Sequence, residues 1–162
     1  MTEIQKLIIE LSEVLKKKNW HCVTAESCTG GGLAYALTEI PGSSNWFERG
    51  FVTYSNAAKE ELLGVKPTTL ATFGAVSEET VREMAEGALR NSKAQFSIAI
   101  TGIAGPDGGS KEKPVGTVWI AYKSIISETK AFVSHFSGTR AEIREQSIRA
   151  ALIFSFSQSF PA

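Results

Sequence analysis

The chain has 162 residues, 43% of them hydrophobic and 21% charged, a profile that fits one soluble globular domain and is too short for two ordinary ones. Lys plus Arg and Asp plus Glu both number 17, so the net charge is zero. That removes the general electrostatic case for nucleic acid or an anionic membrane as partner and leaves open only a local basic pocket. No apolar run approaches the roughly 20 residues of a membrane span. The opening Met1-Thr2-Glu3-Ile4-Gln5-Lys6 is polar and does not read as a signal peptide. Cys22 and Cys28 match no zinc spacing, and with only His21 and His135 a histidine-rich metal site is not expected. The two cysteines read as small, buried, reduced thiols of a cytoplasmic protein, and no cofactor is expected.

Residues 2–18 carry Ile4, Leu7, Ile8, Leu11, Val14 and Leu15 at helical spacing, with Lys16, Lys17 and Lys18 at the end that suits cations. Residues 21–25 read as a short buried strand, and residues 33–40 as a helix. Between them stand Glu26, Ser27, Cys28, Thr29, Gly30, Gly31 and Gly32. A strand that turns directly into a helix leaves the first helical N–H groups unpaired, and the helix dipole makes that end attractive to an anion or a developing oxyanion. A serine hydroxyl there can attack a carbonyl whose oxygen is held by neighbouring N–H groups. The same residues also describe an ordinary turn capped by Ser or Thr.

Residues 41–45 read as a loop and residues 47–54 as a strand. Ser55 or Asn56 can cap a short helix that Gly64 ends, which places Lys59 on its first turn. A lysine is electrostatically misplaced there, which points to a nearby carboxylate, an exposed tip, or a task that needs a lowered pKa. Residues 66–74 read as a turn-rich connection with one short helical turn. A helix follows, opened by Ser77 and running to Asn91, and then a near-continuous apolar strand over 95–101, as in a sheet covered on both faces. The second glycine-rich loop, residues 101–110, fits neither the dinucleotide fingerprint nor the P-loop pattern. It allows close approach of backbone to a ligand, or it is a flexible connection. Residues 114–122 and 127–136 read as an antiparallel strand pair around Trp119. Ser137-Gly138-Thr139-Arg140 turns into a last helix reaching about Ser157. Arg144 and Arg149 read as solvated or paired surface residues. Arg140, at the helix start, has no structural recommendation and is a candidate for an anionic ligand. The order of elements predicts a single-domain α/β sandwich: a mixed sheet, parallel with an antiparallel hairpin, flanked by helices, spanning residues 1–162. Both glycine-rich loops follow apolar strands, at the carboxyl ends where ligands bind in open α/β sheets. Trp46 and Phe47, read as exposed aromatics, point to a partner surface and a homo-oligomer.

Five ordered motifs cover essentially the whole chain: Thr24-Ala25-Glu26-Ser27-Cys28-Thr29-Gly30-Gly31, Tyr54-Ser55-Asn56-x-x-Lys59, Gly74-Ala75-Val76-Ser77, Thr101-Gly102-Ile103-Ala104-Gly105-Pro106-Asp107-Gly108-Gly109, and Lys113-Pro114-Val115-Gly116-Thr117-Val118. Together they resemble the CinA C-terminal domain family. The resemblance implies a stand-alone, PncC-type nicotinamide-nucleotide amidase, which hydrolyses the carboxamide of nicotinamide mononucleotide to nicotinate mononucleotide and ammonia. The extra N-terminal domain of longer members is absent from this sequence, so only the amidase activity carries over. The resemblance also places the nucleophile at Ser27 and a catalytic lysine at Lys59.

Elementary chemistry makes sense of that pair. Serine needs a base, neither histidine falls in a motif, and a lysine serves if burial or a like charge such as Arg140 lowers its pKa. Tyr54 could relay the proton or orient Lys59. The N–H groups of Thr29 and Gly30, with Gly31 beside them, are the expected oxyanion donors. Glu26 either accepts from the substrate or caps the turn. Residues 102–109, including Gly102 and Gly105, together with Arg140, are the candidates for ribose and phosphate, with Thr101 and Asn56 as orienting donors. The sequence departs from the family at Gly32, a third glycine, and at Thr139, where the family carries Asp; Thr139 can still cap the helix. A non-catalytic nucleotide-binding or interaction domain is the competing reading. Metal-assisted phosphate-ester chemistry is disfavoured because Glu26 and Asp107 are the only carboxylates in the motif loops.

Overall fold

In the computed structural model, which describes residues 1–159, the chain forms a five-stranded mixed sheet with helices on both faces. The first helix, α1 (Glu3–Lys18), is closed at its start by a reciprocal Thr2–Gln5 capping box and at its end by Asn19 in the left-handed conformation. Strand β1 (Cys22–Glu26) leads into the short helix α2 (Gly32–Thr38), and β2 (Phe47–Val52) into α3 (Asn56–Leu63). Next come α4 (Pro67–Phe73) and α5 (Glu78–Arg90), then β3 (Phe96–Gly102), β4 (Thr117–Ser124) and β5 (Lys130–His135), and finally α6 (Arg140–Ser159). The sheet order is β2-β1-β3-β4-β5: β1 pairs parallel with both β2 and β3, and the β3–β4 and β4–β5 pairs are antiparallel. The expected sandwich is thus observed, and its antiparallel part extends one pairing further than the Trp119 hairpin.

Period-two alternation divides the sheet residues between two cores. Phe96, Ile98 and Ile100 of β3, with Val118, Ile120 and Tyr122 of β4, face α1, α2 and α6. Val23, Ala25, Ala99 and Ala121 face the α3–α5 side, packing with Leu63, Val81, Met84 and Ala88. Small residues on that second face let α5 lie close to the sheet. Gly87 goes further: a Cβ there would fall 1.9 Å from the Leu63 carbonyl oxygen at the end of α3.

Two expectations change. Residues 66–74 contain a full helix, α4, with Pro67 at its first turn. Trp46 is 2% exposed and sits in the α1–α2–α6 core with half-buried Phe47 packed against it, so these aromatics form no free surface and offer no support for a homo-oligomer. No helix among the described residues is long and apolar enough to cross a membrane. The parallel pairing of β1, β2 and β3 brings their carboxyl ends to one edge of the sheet, and the amino end of β4 and the start of α6 arrive there too.

Candidate active site

At that edge Ser27 continues β1 by one residue, its N–H donating to the Ile100 carbonyl at 3.0 Å. The chain then reverses. Gly30 N–H donates to Ser27 O and Gly32 N–H to Thr29 O, with Gly30 and Gly31 at φ of +60° and +95°, which side chains resist. The turn is held from beneath by Glu26, which is fully buried: Oε1 accepts from the Thr29 hydroxyl at 2.6 Å and Leu33 N–H at 2.8 Å, and Oε2 from Ala34 N–H at 3.0 Å. The carboxylate satisfies the unpaired N–H groups of α2 and complements its dipole. Glu26 thus caps the turn, the structural one of the two roles expected for it, and engages the Thr29 hydroxyl.

Lys59 approaches Ser27 from α3. Ser55 caps that helix through Ala58 N–H. The Lys59 side chain is 1% exposed, and its Nζ lies 3.0 Å from Ser27 Oγ, 2.9 Å from Thr53 O and 3.0 Å from Tyr54 O. Among the described residues no carboxylate pairs with it. Burial lowers its pKa from the ordinary lysine value; Arg140 is not needed for the shift. A neutral amine has two N–H bonds and one lone pair. When its two N–H bonds go to the two carbonyls, the lone pair is left for the Ser27 hydroxyl proton, for which Tyr54 O, 3.4 Å from Oγ, is the other acceptor.

The pair lies on a cleft of about 270 Å³ whose walls include Thr101, Gly102, Gly105, Asp107 and Arg140. Arg140 Nη1 donates to Gly105 O at 2.7 Å and Nη2 to the Tyr54 hydroxyl at 3.3 Å, so one guanidinium ties both walls. Tyr54 is 62% exposed and lines the cleft. Its backbone carbonyl, not its phenol, accepts from Lys59 Nζ. Thr101 Oγ1 donates to Ala75 O at 2.9 Å and so braces the cleft wall. Asn56 is exposed on the first turn of α3, outside the cleft, and Gly31 lies outside it as the left-handed N-cap of α2. Gly30 cannot serve as an oxyanion donor while its N–H is held by Ser27 O. The Cys28 and Thr29 N–H groups have no partner in another residue among those described, and Cys28 lines the cleft beside Ser27. Burial pushes the Cys28 thiol up to about 11, so near neutrality it is protonated and is no rival nucleophile. Among the described residues no cluster of three or more His, Cys, Asp or Glu side chains is placed to hold a metal ion.

A family model described as the CinA C-terminal domain matches residues 4–157. The chain belongs to the CinA C-terminal domain family. A relative from Enterobacter agglomerans named nicotinamide-nucleotide amidohydrolase PncC is 52% identical over 152 residues, covering 94% of this chain and 90% of the relative. The protein of the same name from Escherichia coli K12 is 51% identical, over 93% of this chain and 92% of its own length. The crystal structure of the competence/damage inducible protein CihA from Agrobacterium tumefaciens superposes with a TM-score of 0.94 at 46% identity, over 97% of this chain and 96% of that one.

Within this CinA domain the motifs led to Ser27 and Lys59, which the fold brings together across 32 residues. Sequence reasoning missed the Thr53 and Tyr54 carbonyls, because a backbone contact leaves no residue-type signal. It also missed Ala75 and Val76 of the cleft, although the Gly74-Ala75-Val76-Ser77 motif contained them; Asp107 falls within the expected 102–109 loop. Thr139 does cap α6, exchanging hydrogen bonds with Glu142 in place of the family's Asp.

Proposed function

We propose that this chain, taken over residues 1–162 as one amidase domain, hydrolyses the carboxamide of nicotinamide mononucleotide to nicotinate mononucleotide and ammonia, with Ser27 as nucleophile and Lys59 as its base. Relatives of about half-identical sequence that carry the name nicotinamide-nucleotide amidohydrolase support the substrate class. The observation that carries the chemistry is the 3.0 Å contact between Ser27 Oγ and a buried lysine with no carboxylate partner among the described residues. Neutral Lys59 takes the Ser27 proton as Oγ attacks the carboxamide carbon. The oxyanion that forms lies toward the Cys28 N–H, which has no partner in another residue among those described and stands in the cleft beside the nucleophile. Lys59 then protonates the leaving nitrogen, the C–N bond breaks, and ammonia departs from a Ser27 ester. Water attacks that ester with Lys59 again as base, releasing the carboxylate and restoring the serine. Arg140 and the backbone of residues 102–109 are assigned to phosphate and ribose. With Cys22 and Cys28 both free, a reducing, cytoplasmic setting fits this reading.

The test is ammonia release from nicotinamide mononucleotide with a chelator present. Wild type should be active, while Ser27→Ala and Lys59→Ala should each lose at least about a thousandfold in kcat, as removal of a nucleophile or its base does elsewhere. A fully active Ser27→Ala protein overturns the mechanism. Tight nucleotide binding by the wild type without turnover overturns the amidase reading in favour of a binding domain.

A further inference from the structure

Two arginines lie one helical turn apart at the start of α6, Arg140 and Arg144. Cations there oppose the helix dipole and, at this spacing, each other. Arg140 is accounted for by the cleft. Arg144 is not: it does not line the cleft, and no carboxylate pairs with it among the described residues. It reaches 115 residues back along the sequence, its Nη2 donating at 3.2 Å to the Thr29 carbonyl. That carbonyl already accepts from Gly32 N–H at 2.9 Å. The guanidinium packs against the turn closely enough that a Cβ on Gly30 would come within 3.3 Å of it. Its Nε is shielded from water with no hydrogen-bond partner among the described residues, an arrangement that costs stability. A surface residue would have turned outward to pair or hydrate.

We propose that Arg144 is a positioning residue for the nucleophile turn: by gripping the Thr29 carbonyl from α6, it holds the Ser27-Cys28-Thr29 peptides so that the Cys28 N–H faces the developing oxyanion while Ser27 Oγ stays within reach of Lys59. The inference rests on the Ser27–Lys59 reading above. Arg140 and Arg144 then form one device. From adjacent turns of the same helix face, the first ties the wall formed by Gly105 and Tyr54 and the second ties the turn that carries the nucleophile, so α6 sets the width of the cleft. Arg144 touches no reacting atom, so its loss should appear in kcat and leave substrate affinity nearly intact.

The experiment measures kcat and KM on nicotinamide mononucleotide for Arg144→Met, Arg144→Lys, Arg149→Met and Ser27→Ala, with melting temperatures. Arg149 is a control on the same helix, in an exposed ion pair with Glu3. Misplacing a reacting group by about 1 Å can cost about a hundredfold in rate, so Arg144→Met should lower kcat by about 10- to 100-fold with KM within about twofold. Arg144→Lys, which keeps a charged donor, should recover most of that, and Arg149→Met should match wild type. The same loss should be seen with the nucleoside lacking the phosphate, because the effect lies at the turn and not at the phosphate. An unchanged kcat in Arg144→Met, a loss confined to KM or to the phosphorylated substrate, or a lysine variant as defective as the methionine one at equal melting temperature overturns the proposal. If Arg144→Met does not fold, Arg144→Ala, which likewise removes the donor to the Thr29 carbonyl, takes its place under the same criteria. Activity in Ser27→Ala, or none in wild type, overturns the underlying mechanism instead.

Discussion

Lys59 carries its chemistry at a cost in stability that has a definite pH signature. Burial lowers its pKa below the ordinary 10.5. As pH rises through the lowered value, more of the enzyme holds a free lone pair for Ser27, so kcat/KM should climb to a plateau before an exposed lysine would titrate. The stability sign follows from proton counting. Between the folded and unfolded pKa values the unfolded chain binds the extra proton, so stability rises with pH across that window and is lowest beneath it. Lys59→Met lacks this slope. Its melting temperature relative to wild type should therefore be highest at low pH and decline as pH rises toward 10.5; a difference independent of pH would show that the lysine is not titrating in place. Cys22, raised to about 12, and Cys28, raised to about 11, oppose the trend at high pH; Cys22 is shared by the two proteins and cancels, whereas Cys28 interacts with Lys59, so the comparison is read below the range where that thiol ionises. Glu26 makes a second residue-scale case. Three donors converge on its carboxylate, two of them backbone N–H groups of α2. Glu26→Ala should cost about 1–3 kcal/mol for each N–H left unpaired, measured by denaturant unfolding, with activity falling because the Ser27 turn loses its support. A variant as stable as wild type would mean that water replaces the carboxylate.

Among the elements, α3 is the one whose placement decides activity, because it brings Lys59 to Ser27. Its far end rests on Gly87 of α5, where backbone meets backbone with no room for a methyl group. Gly87→Ala must push α3 and α5 apart. Overpacking of this kind costs about 3 kcal/mol, and here it should also separate the dyad. The expected outcome is a lower melting temperature together with a kcat loss larger than the unfolded fraction explains; wild-type kinetics would show that the two helices adjust without moving Lys59. The elements also show where the sequence was readable. Strands β1 and β3, the cap at Ser55 and the stop at Gly64 were legible because local rules dictate them. Helix α4 was not, because Thr68 and Thr69 are weak helix formers and the support comes from elsewhere. Glu83 of α5 accepts from Lys66 N–H at 2.9 Å and from Thr69 Oγ1 at 2.6 Å, a cap supplied from 14 or more residues away. Tyr54 and Arg144 illustrate the same limit at the site. A motif tells which residue recurs but not whether its carbonyl or its ring does the work, and an arginine at helical spacing looks solvated until the fold shows what lies beneath it.

Over the whole molecule, charge is balanced and the anion-directed groups are local. Net charge is zero, so no long-range field gathers an anionic nucleotide, and attraction begins only where Arg140 meets the cleft. Asp107 on the same wall offsets part of even that local field. Steering by a strongly cationic protein falls steeply with salt, whereas contacts within a Debye length are screened little. For this chain, kcat/KM with nicotinamide mononucleotide should therefore change by only about twofold between low salt and about 0.5 M, with Arg140→Gln raising KM at every salt concentration. The contrast lies in the slope. A steep decline in kcat/KM with salt would mean that the phosphate is captured by an extended basic surface and not by the single guanidinium at the start of α6. Arg140 would then serve mainly to bridge Gly105 and Tyr54. A flat profile, with the Arg140→Gln effect intact, would place the whole of anion recognition at the edge where β1, β2, β3 and α6 converge, the same edge that holds Ser27 and Lys59.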